Sequence, residues 1–459
     1  MAKLNQHIKN QIEDELLSTV GRRYRNETFW VIFLAVICAG GTVAWIIQLK
    51  DGLGVTAMRD YASWGLYISL LFFFVGVSLI GALVSSVLRF AGAKWRYPLI
   101  RIAEAVTLSS LFFAGFMPVL DMGRPERLYF LVTHGRLQSP ILWDVVAIAT
   151  YFFGSVIYFY LPLIPDLAIM RDKLTNVPPL RRKIFRWLAI GWKDSPEQKR
   201  LLKKGMNIMS VVILPVAVSV HTISAWLIAM TLRPGWNTSL MGPYFVFGAL
   251  VAGCAILILI MAKLRHGFRL DHYLTAKHFS NLSMLLLALS AFYLYLNLNK
   301  YGVPAFKMEK GEAGLLKDLF LGKYAFLFWF TMIAGLVIPI VLLSFRKIRK
   351  SIRWVVFISV LVLLGALINR FLIVTPNMLH PFIAIQHAQP GYATYYPTLI
   401  EWTITASSLA GFLLLIILLF KLFPVITMWE VIEGVEKSSE EEVGLENLSN
   451  LQIIRGHAS

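Results

Sequence analysis

Ten long apolar runs constrain this chain more than any single residue does: residues 29–48, 61–88, 98–120, 140–165, 206–231, 241–264, 275–299, 322–344, 353–375 and 399–423. A helix needs about 20 apolar residues to cross a bilayer core, and each run meets that length. A membrane β-barrel would instead show alternating segments of about 10 residues. A soluble globule could not wet its surface with 459 residues that are 57% hydrophobic and 15% charged, at a mean hydropathy of +0.66. The chain is read as an all-α polytopic membrane protein, with the runs as spans 1–10. A cytoplasmic N-terminal segment (1–28) precedes the membrane domain (29–423), and a cytoplasmic tail (424–459) follows it.

Orientation follows from the basic residues, because cytoplasmic loops carry the excess of Lys and Arg. The N-terminal segment and the connections 2–3, 4–5, 6–7 and 8–9 hold most of the 44 lysines and arginines, which places both termini in the cytoplasm. The net charge of +18 is then mainly topological. No soluble binding domain is present to make nucleic acid the partner, and anionic lipid is the fitting counterpart. The first 28 residues are polar and mixed in sign, from Glu13, Asp14 and Glu15 to Arg22, Arg23 and Arg25, so a surface helix is expected there rather than a cleavable leader.

Cys38 and Cys254 lie in separate apolar runs, which leaves no thiolate set for a metal or iron–sulfur cluster. Among nine histidines only His221 lies well within a run, and His278 sits at another depth. A haem held between histidines of facing helices is therefore not expected, and metal chemistry is assigned to a partner.

The ionisable residues near the spans gather toward the non-cytoplasmic side. Asp121 ends span 3, Arg124 and His134 lie in the connection, and Asp144 opens span 4 behind Trp143; His221, Arg370 and Glu401 belong to the same half. An ionisable group just inside a hydrocarbon-spanning segment is expensive, and function is its default reading. A quinone head group is flat, carries two oxygens and lives in the bilayer, so its pocket needs apolar walls and one or two titratable partners. Asp144 and Asp121 are the candidate proton acceptors; Arg124, His134, His221, Arg370, Tyr67 and Trp143 are candidate quinone contacts, with Trp64 and Tyr151 as further walls. The structural alternative pairs Asp144 with Arg124 as a salt bridge pinning loop to helix, and treats the aromatics as interfacial anchors. On the cytoplasmic side Glu104, with Thr107, Ser109 and Ser110 beyond it, could begin a proton path, although such hydroxyls commonly satisfy helix contacts instead.

The blocks Arg101-Ile-Ala-Glu104-Ala-Val-Thr107, Asp121-Met-Gly-Arg124-Pro125, Ser139-Pro-Ile-Leu-Trp143-Asp144 and Pro165-Asp166-Leu-Ala-Ile-Met-Arg171-Asp172 together resemble the NrfD family, the membrane subunits of polysulfide-reductase-like complexes. Ser219-Val-His221-Thr-Ile and Asn369-Arg370-Phe-Leu-Ile-Val-Thr375 extend the likeness over most of the chain. Ten spans with a long basic 4–5 connection are most similar to the larger NrfD-like subunit of alternative complex III. Trp64-Gly-Leu-Tyr67-Ile also looks like the corresponding subunit of sulfite-reduction complexes.

The resemblance implies two four-helix bundles, spans 2–5 and 6–9, flanked by spans 1 and 10. It also implies a quinone pocket in the first bundle, menaquinone being the expected ligand, served by Asp144 and Arg370. The partner it implies is an extracytoplasmic iron–sulfur subunit of ferredoxin-like type, with molybdopterin-type and multihaem cytochrome c subunits beyond it. Two positions depart from the alternative-complex-III pattern: Asp121 stands where His is usual, and Trp226 where Asp is usual. An aspartate still accepts protons and a tryptophan does not, so the direction of quinone turnover stays open.

The 4–5 connection, with Arg181, Arg182, Lys183 and Arg186, reads as an amphipathic lipid-facing segment. Glu440, Glu441 and Glu442 read as a solvated tail, and the sequon at Asn237 as coincidence. The reading adopted is a quinone-reactive membrane subunit of a respiratory oxidoreductase in a prokaryotic cytoplasmic membrane, with proton translocation as a possible coupled activity. A stand-alone transporter would place polar groups near the midplane and breaks in both halves, and a structural anchor would not need Asp144 or Asp121.

Overall fold

A computed structural model describes residues 2–21, 26–174, 178–307, 309–383, 385, 394–432 and 434. Among them every regular element is helical. Ten helices are long and apolar enough to cross a membrane: span 1 Glu27–Asp51, span 2 Leu66–Phe90, span 3 Lys94–Asp121, span 4 Pro140–Tyr160, span 5 Pro196–Ala229, span 6 Met241–Phe268, span 7 Ala276–Lys307, span 8 Ala325–Ser344, span 9 Ile352–Met378 and span 10 Leu399–Leu422. Each falls on one apolar run. The protein is a multi-pass integral membrane protein.

Two spans differ from their runs for local reasons. Run 140–165 is broken at Pro162, which cannot donate to the helix ladder; span 4 ends at Tyr160 and a separate helix, Leu163–Lys173, follows. Span 5 starts well before its apolar run, because Ser195 caps its N-terminus by accepting from the Gln198 amide at 3.3 Å and Pro196 occupies the first helical position. The basic residues Lys199, Arg200, Lys203 and Lys204 thereby become helix rather than loop.

Packing separates the spans into the expected groups. Spans 2–5 contact one another in a ring, as do spans 6–9, and the two bundles meet along spans 2, 5, 6 and 9. Over Leu66–Ala82 span 2 is hydrophobic on every side and every residue is buried, as a central helix must be. Span 1 is mostly exposed, presenting Phe29, Ile32 and Val36 outward, and pairs with span 10 outside the first bundle. Close approach there rests on small residues: Cys38 Sγ donates to the Ser407 carbonyl at 3.7 Å, and a Cβ on Gly41 would overlap Ser407.

Spans 8 and 9 cross at Gly335 and Gly365, the former within a π-helical stretch over Phe330–Val337. A Cβ on either glycine would stand 2.8 or 2.7 Å from the Cα of the other. Gly365→Val is therefore expected to cost about 1–3 kcal/mol through overpacking, read as an earlier midpoint in SDS-induced unfolding. An unchanged midpoint would show that the two spans part without cost.

Before span 1, Ala2–Leu17 forms a helix that buries Glu13, Leu16 and Leu17, whereas Arg22, Arg23 and Arg25 lie outside the described residues. Helix Pro179–Leu188 exposes Leu180, Ile184 and Trp187 among its basic residues. The start of the C-terminal segment is not a solvated tail: Val425, Ile426, Thr427 and Met428 are buried against the first bundle. Glu440, Glu441 and Glu442 lie outside the described residues.

Candidate functional site

Asp121 closes span 3 one turn after Pro118, and the chain then runs as a connection through a tight turn at Pro125–Arg127 and a single helical turn at Phe130–Thr133. Ser139 is extended and Pro140 takes the first helical position of span 4, so Asp144 enters on the inner face of its second turn. Asp144 is 4% exposed and accepts a 2.5 Å hydrogen bond from Ser224 Oγ of span 5. That length is typical of a hydroxyl on a carboxylate. Arg124 is exposed and forms no ion pair among the described residues, so the Asp144–Arg124 salt bridge is not made.

Beneath the connection, between spans 2, 3, 4 and 5, lies a cavity of about 800 Å³. Its walls are apolar: Trp64 from the segment just before span 2, Ile68 and Leu71 from span 2, Phe112 and Val119 from span 3, Phe152 and Phe153 from span 4, and Leu227 from span 5. A few polar groups converge on it, namely Asp121, Asp144, His134, Arg127, Arg136 and Ser139. Asp121 Oδ1 is buried without a hydrogen-bond partner, an acceptor left unused. His134 is exposed at the rim, with Nδ1 2.8 Å from Thr133 Oγ1 and its ring edge-on to Phe130. Apolar walls with a small convergent polar set are the usual form of a site for a small hydrophobic ligand.

The sequence candidates divide between this cavity and other places. Asp121, Asp144, His134 and Trp64 line it. Tyr67 is buried away from it: its hydroxyl donates to Gln48 Oε1 at 2.7 Å, and Gln48 Nε2 donates to the Leu120 carbonyl at 2.7 Å, tying spans 1, 2 and 3 together. Trp143 Nε1 donates to the Leu137 carbonyl at 2.5 Å and so braces the connection. Tyr151 donates to the Ser78 carbonyl at 2.9 Å inside the bundle. Trp226, where the sequence departs from the resemblance, is about half exposed on the outer face of span 5. Arg127 and Arg136 were not among the candidates; their only sequence signal is their place in the charged connection.

His221 and Arg370 sit at the junction of the two bundles. His221 is 1% exposed, its Nδ1 2.6 Å from the Ala217 carbonyl and its Nε2 unpartnered. The Arg370 guanidinium lies 4.5 Å from the Phe245 ring, and Gly76 and Gly248 leave room for it; a Cβ on Gly248 would stand 3.0 Å from Nη2. Beside it Tyr244 donates to Asn297 and Asn369, Tyr293 donates to Asn369, and Lys300 lies over the Tyr244 ring at 4.3 Å. Sequence reasoning missed this polar interior, although Asn297 and Asn369 interrupt otherwise apolar runs and Lys300 directly follows one.

At the far end of span 3, Glu104 accepts from Ser85 Oγ at 2.9 Å. Thr107 Oγ1 donates to the Ser78 carbonyl at 2.6 Å and accepts from the Gly81 amide, while Ser110 Oγ donates to the Val106 carbonyl. Glu401 caps span 10 in a reciprocal box with Thr398 and also accepts from Tyr395 and the Ala57 amide, at 2.5 and 2.8 Å. No group of three His, Cys, Asp or Glu among the described residues is placed to hold a metal ion.

The cavity, its roofing connection and Arg370 all fall within residues 54–381, which match the family model described as polysulphide reductase, NrfD. The chain belongs to the NrfD family. Its relatives include a Halobacterium salinarum protein provisionally named as a membrane subunit of dimethyl sulfoxide reductase, 29% identical over 80% of each chain. A selenate reductase subunit of Mesobacillus selenatarsenatis is 24% identical over 85% of this chain and 91% of its own. The Hdr-like menaquinol oxidoreductase integral membrane subunit of Archaeoglobus fulgidus is 23% identical over 89% and 95%. As an NrfD-family chain, it resembles each of them across both bundles.

Proposed function

We propose that this chain is the quinone-reactive membrane subunit of a respiratory oxidoreductase complex in a prokaryotic cytoplasmic membrane, with menaquinone or menaquinol as substrate. The observation that carries the reading is the 800 Å³ apolar cavity on which two carboxylates converge, Asp144 buried and Asp121 half-buried with one buried, unused oxygen. Relatives named for selenate reductase and menaquinol oxidoreductase support it.

Oxidation of a quinol releases two electrons and two protons. Asp144 and Asp121 accept the hydroxyl protons, Ser224 holds Asp144 in position, and the aromatic walls pack against the flat ring. The electrons pass to an iron–sulfur partner seated on the 122–139 connection, and the excess of basic residues in the opposite loops supports an extracytoplasmic position for it. Molybdopterin-type and multihaem cytochrome subunits complete the complex. Run in reverse, the same groups deliver protons to a quinone. Glu104, Thr107 and Ser110, three residues apart along span 3, mark the side from which protons exchange with the cytoplasm.

Gly115 supplies the test, because it lines the cavity and a Cβ there meets nothing within 4 Å. Gly115→Phe should fold and fill the space. The KM for a soluble menaquinol analogue is expected to rise at least about tenfold, equivalent to about 1.4 kcal/mol, with assembly of the complex unchanged. Kinetics identical to the parent would remove the quinone from this cavity and leave the anchor reading in its place.

A further inference from the structure

The large cavity is sorted by polarity along its length. Its polar lining residues all fall between Asp121 and Asp144, at the outer ends of spans 3 and 4 and in the connection that joins them. Deeper in the bundle the lining is apolar throughout: Leu71 from span 2, Leu111 and Phe112 from span 3, and Ile148, Phe152 and Phe153 from span 4.

Spans 3 and 4 are consecutive crossings and run in opposite directions, and the two levels match on both. Phe112 lies nine residues before Asp121, and Phe153 nine residues after Asp144. At a helical rise of about 1.5 Å per residue, both phenylalanines stand roughly 13 Å below the carboxylates.

That level is where the cavity meets the outside of the protein. Phe112 is 51% and Phe153 65% exposed, although both line the cavity. Each lies inside a span, so the surface they share faces lipid. Between them and the carboxylates the lining positions of spans 3 and 4 include two small residues. Gly115 is exposed, and a Cβ there would meet nothing within 4 Å; Ala149 lies at a similar level on span 4. Their small side chains leave the seam between the two spans open toward the bilayer.

A slot that is polar at one end, apolar at the other and open to hydrocarbon at the apolar end fits a ligand of the same build, a polar head on a long apolar chain. We propose that the cavity binds an isoprenoid quinone with its ring at Asp121 and Asp144, its first isoprene units along Gly115 and Ala149, and the rest of its tail leaving between spans 3 and 4 past Phe112 and Phe153. The tail as well as the ring is then recognised, and the two phenylalanines frame the portal through which substrate enters from the bilayer. The inference rests on the quinone reading of the cavity and adds the path of the chain. A tail that leaves at this depth does not cross the 122–139 connection, so a partner seated there leaves quinone exchange unhindered.

Photolabelling of the parent complex in lipid nanodiscs tests the path without any substitution. Two menaquinone probes are needed, one with an azide on the ring and one with a diazirine on the second isoprene unit. The tail probe is expected to mark residues 108–119 of span 3 and 145–156 of span 4, and excess untagged menaquinone should lower that labelling several-fold. Ring labelling inside the cavity with tail labelling on other spans or on the connection would overturn the portal and leave the proposed function standing. Ring labelling outside the cavity would remove the function and the portal together. Tail labelling of spans 3 and 4 that untagged menaquinone does not displace would assign the opening to membrane lipid, and the inference would fall.

Discussion

Replacing Asp144 with asparagine is expected to lower quinol-dependent electron transfer by about 100-fold or more, the range lost when a positioned proton acceptor is removed. Asparagine has nearly the same shape, and its carbonyl oxygen can still accept from Ser224 Oγ, so the contact between spans 4 and 5 survives. What disappears is an oxygen able to take the quinol proton. The loss should fall on kcat, with assembly and the partner's cluster content intact. Ser224→Ala should cost less, because it removes only the 2.5 Å bond that aims the carboxylate. Turnover of Asp144→Asn within twofold of the parent would leave Asp144 as a tie between helices and pass the chemistry to Asp121.

The largest effect on stability is expected at Arg101. Its guanidinium and the Asp166 carboxylate are both fully buried and stand 2.7 Å apart, and Arg101 Nη2 also donates to the Pro162 carbonyl at 3.1 Å. Arg101→Met strands a carboxylate in the interior, which costs about 3–5 kcal/mol. Adding Asp166→Leu removes the stranded charge and should restore part of the loss. Rescue stays incomplete, because the Met428 and Trp429 amides then lose their acceptor. SDS-induced unfolding of the single and double variants gives the coupling directly. A single variant within about 0.5 kcal/mol of the parent would mean that the pair contributes nothing.

The spans were legible because their signal is local: some twenty apolar residues in succession have one economical arrangement in lipid. The break at Pro162 was less visible, since the apolar run continues to 165 across it. Asp121, Asp144 and His134 could be found because an ionisable group in or beside an apolar run is costly wherever it points. Tyr67 and Trp143 carry no such mark: an aromatic near a helix end is compatible with a pocket, a belt or a brace, and only the positions of Gln48 and Leu137 decide. The buried segment 425–428 was hidden differently. It follows the last apolar run, so local pattern reads it as tail, and only Asp166, far back in the chain, reveals that the segment returns.

That return governs how the protein is made. The partners of Asp166 and of the Ala57 amide, namely Trp429, Met428 and Glu401, are translated several spans after them. Spans 1 and 10 are neighbours although eight spans are translated between them. A nascent chain stalled after span 9 holds every residue that lines the large cavity, while the amide at Ala57 and one flank of span 1 wait uncovered. The pairing of span 10 with span 1 therefore closes over a cavity whose lining residues have all been made already.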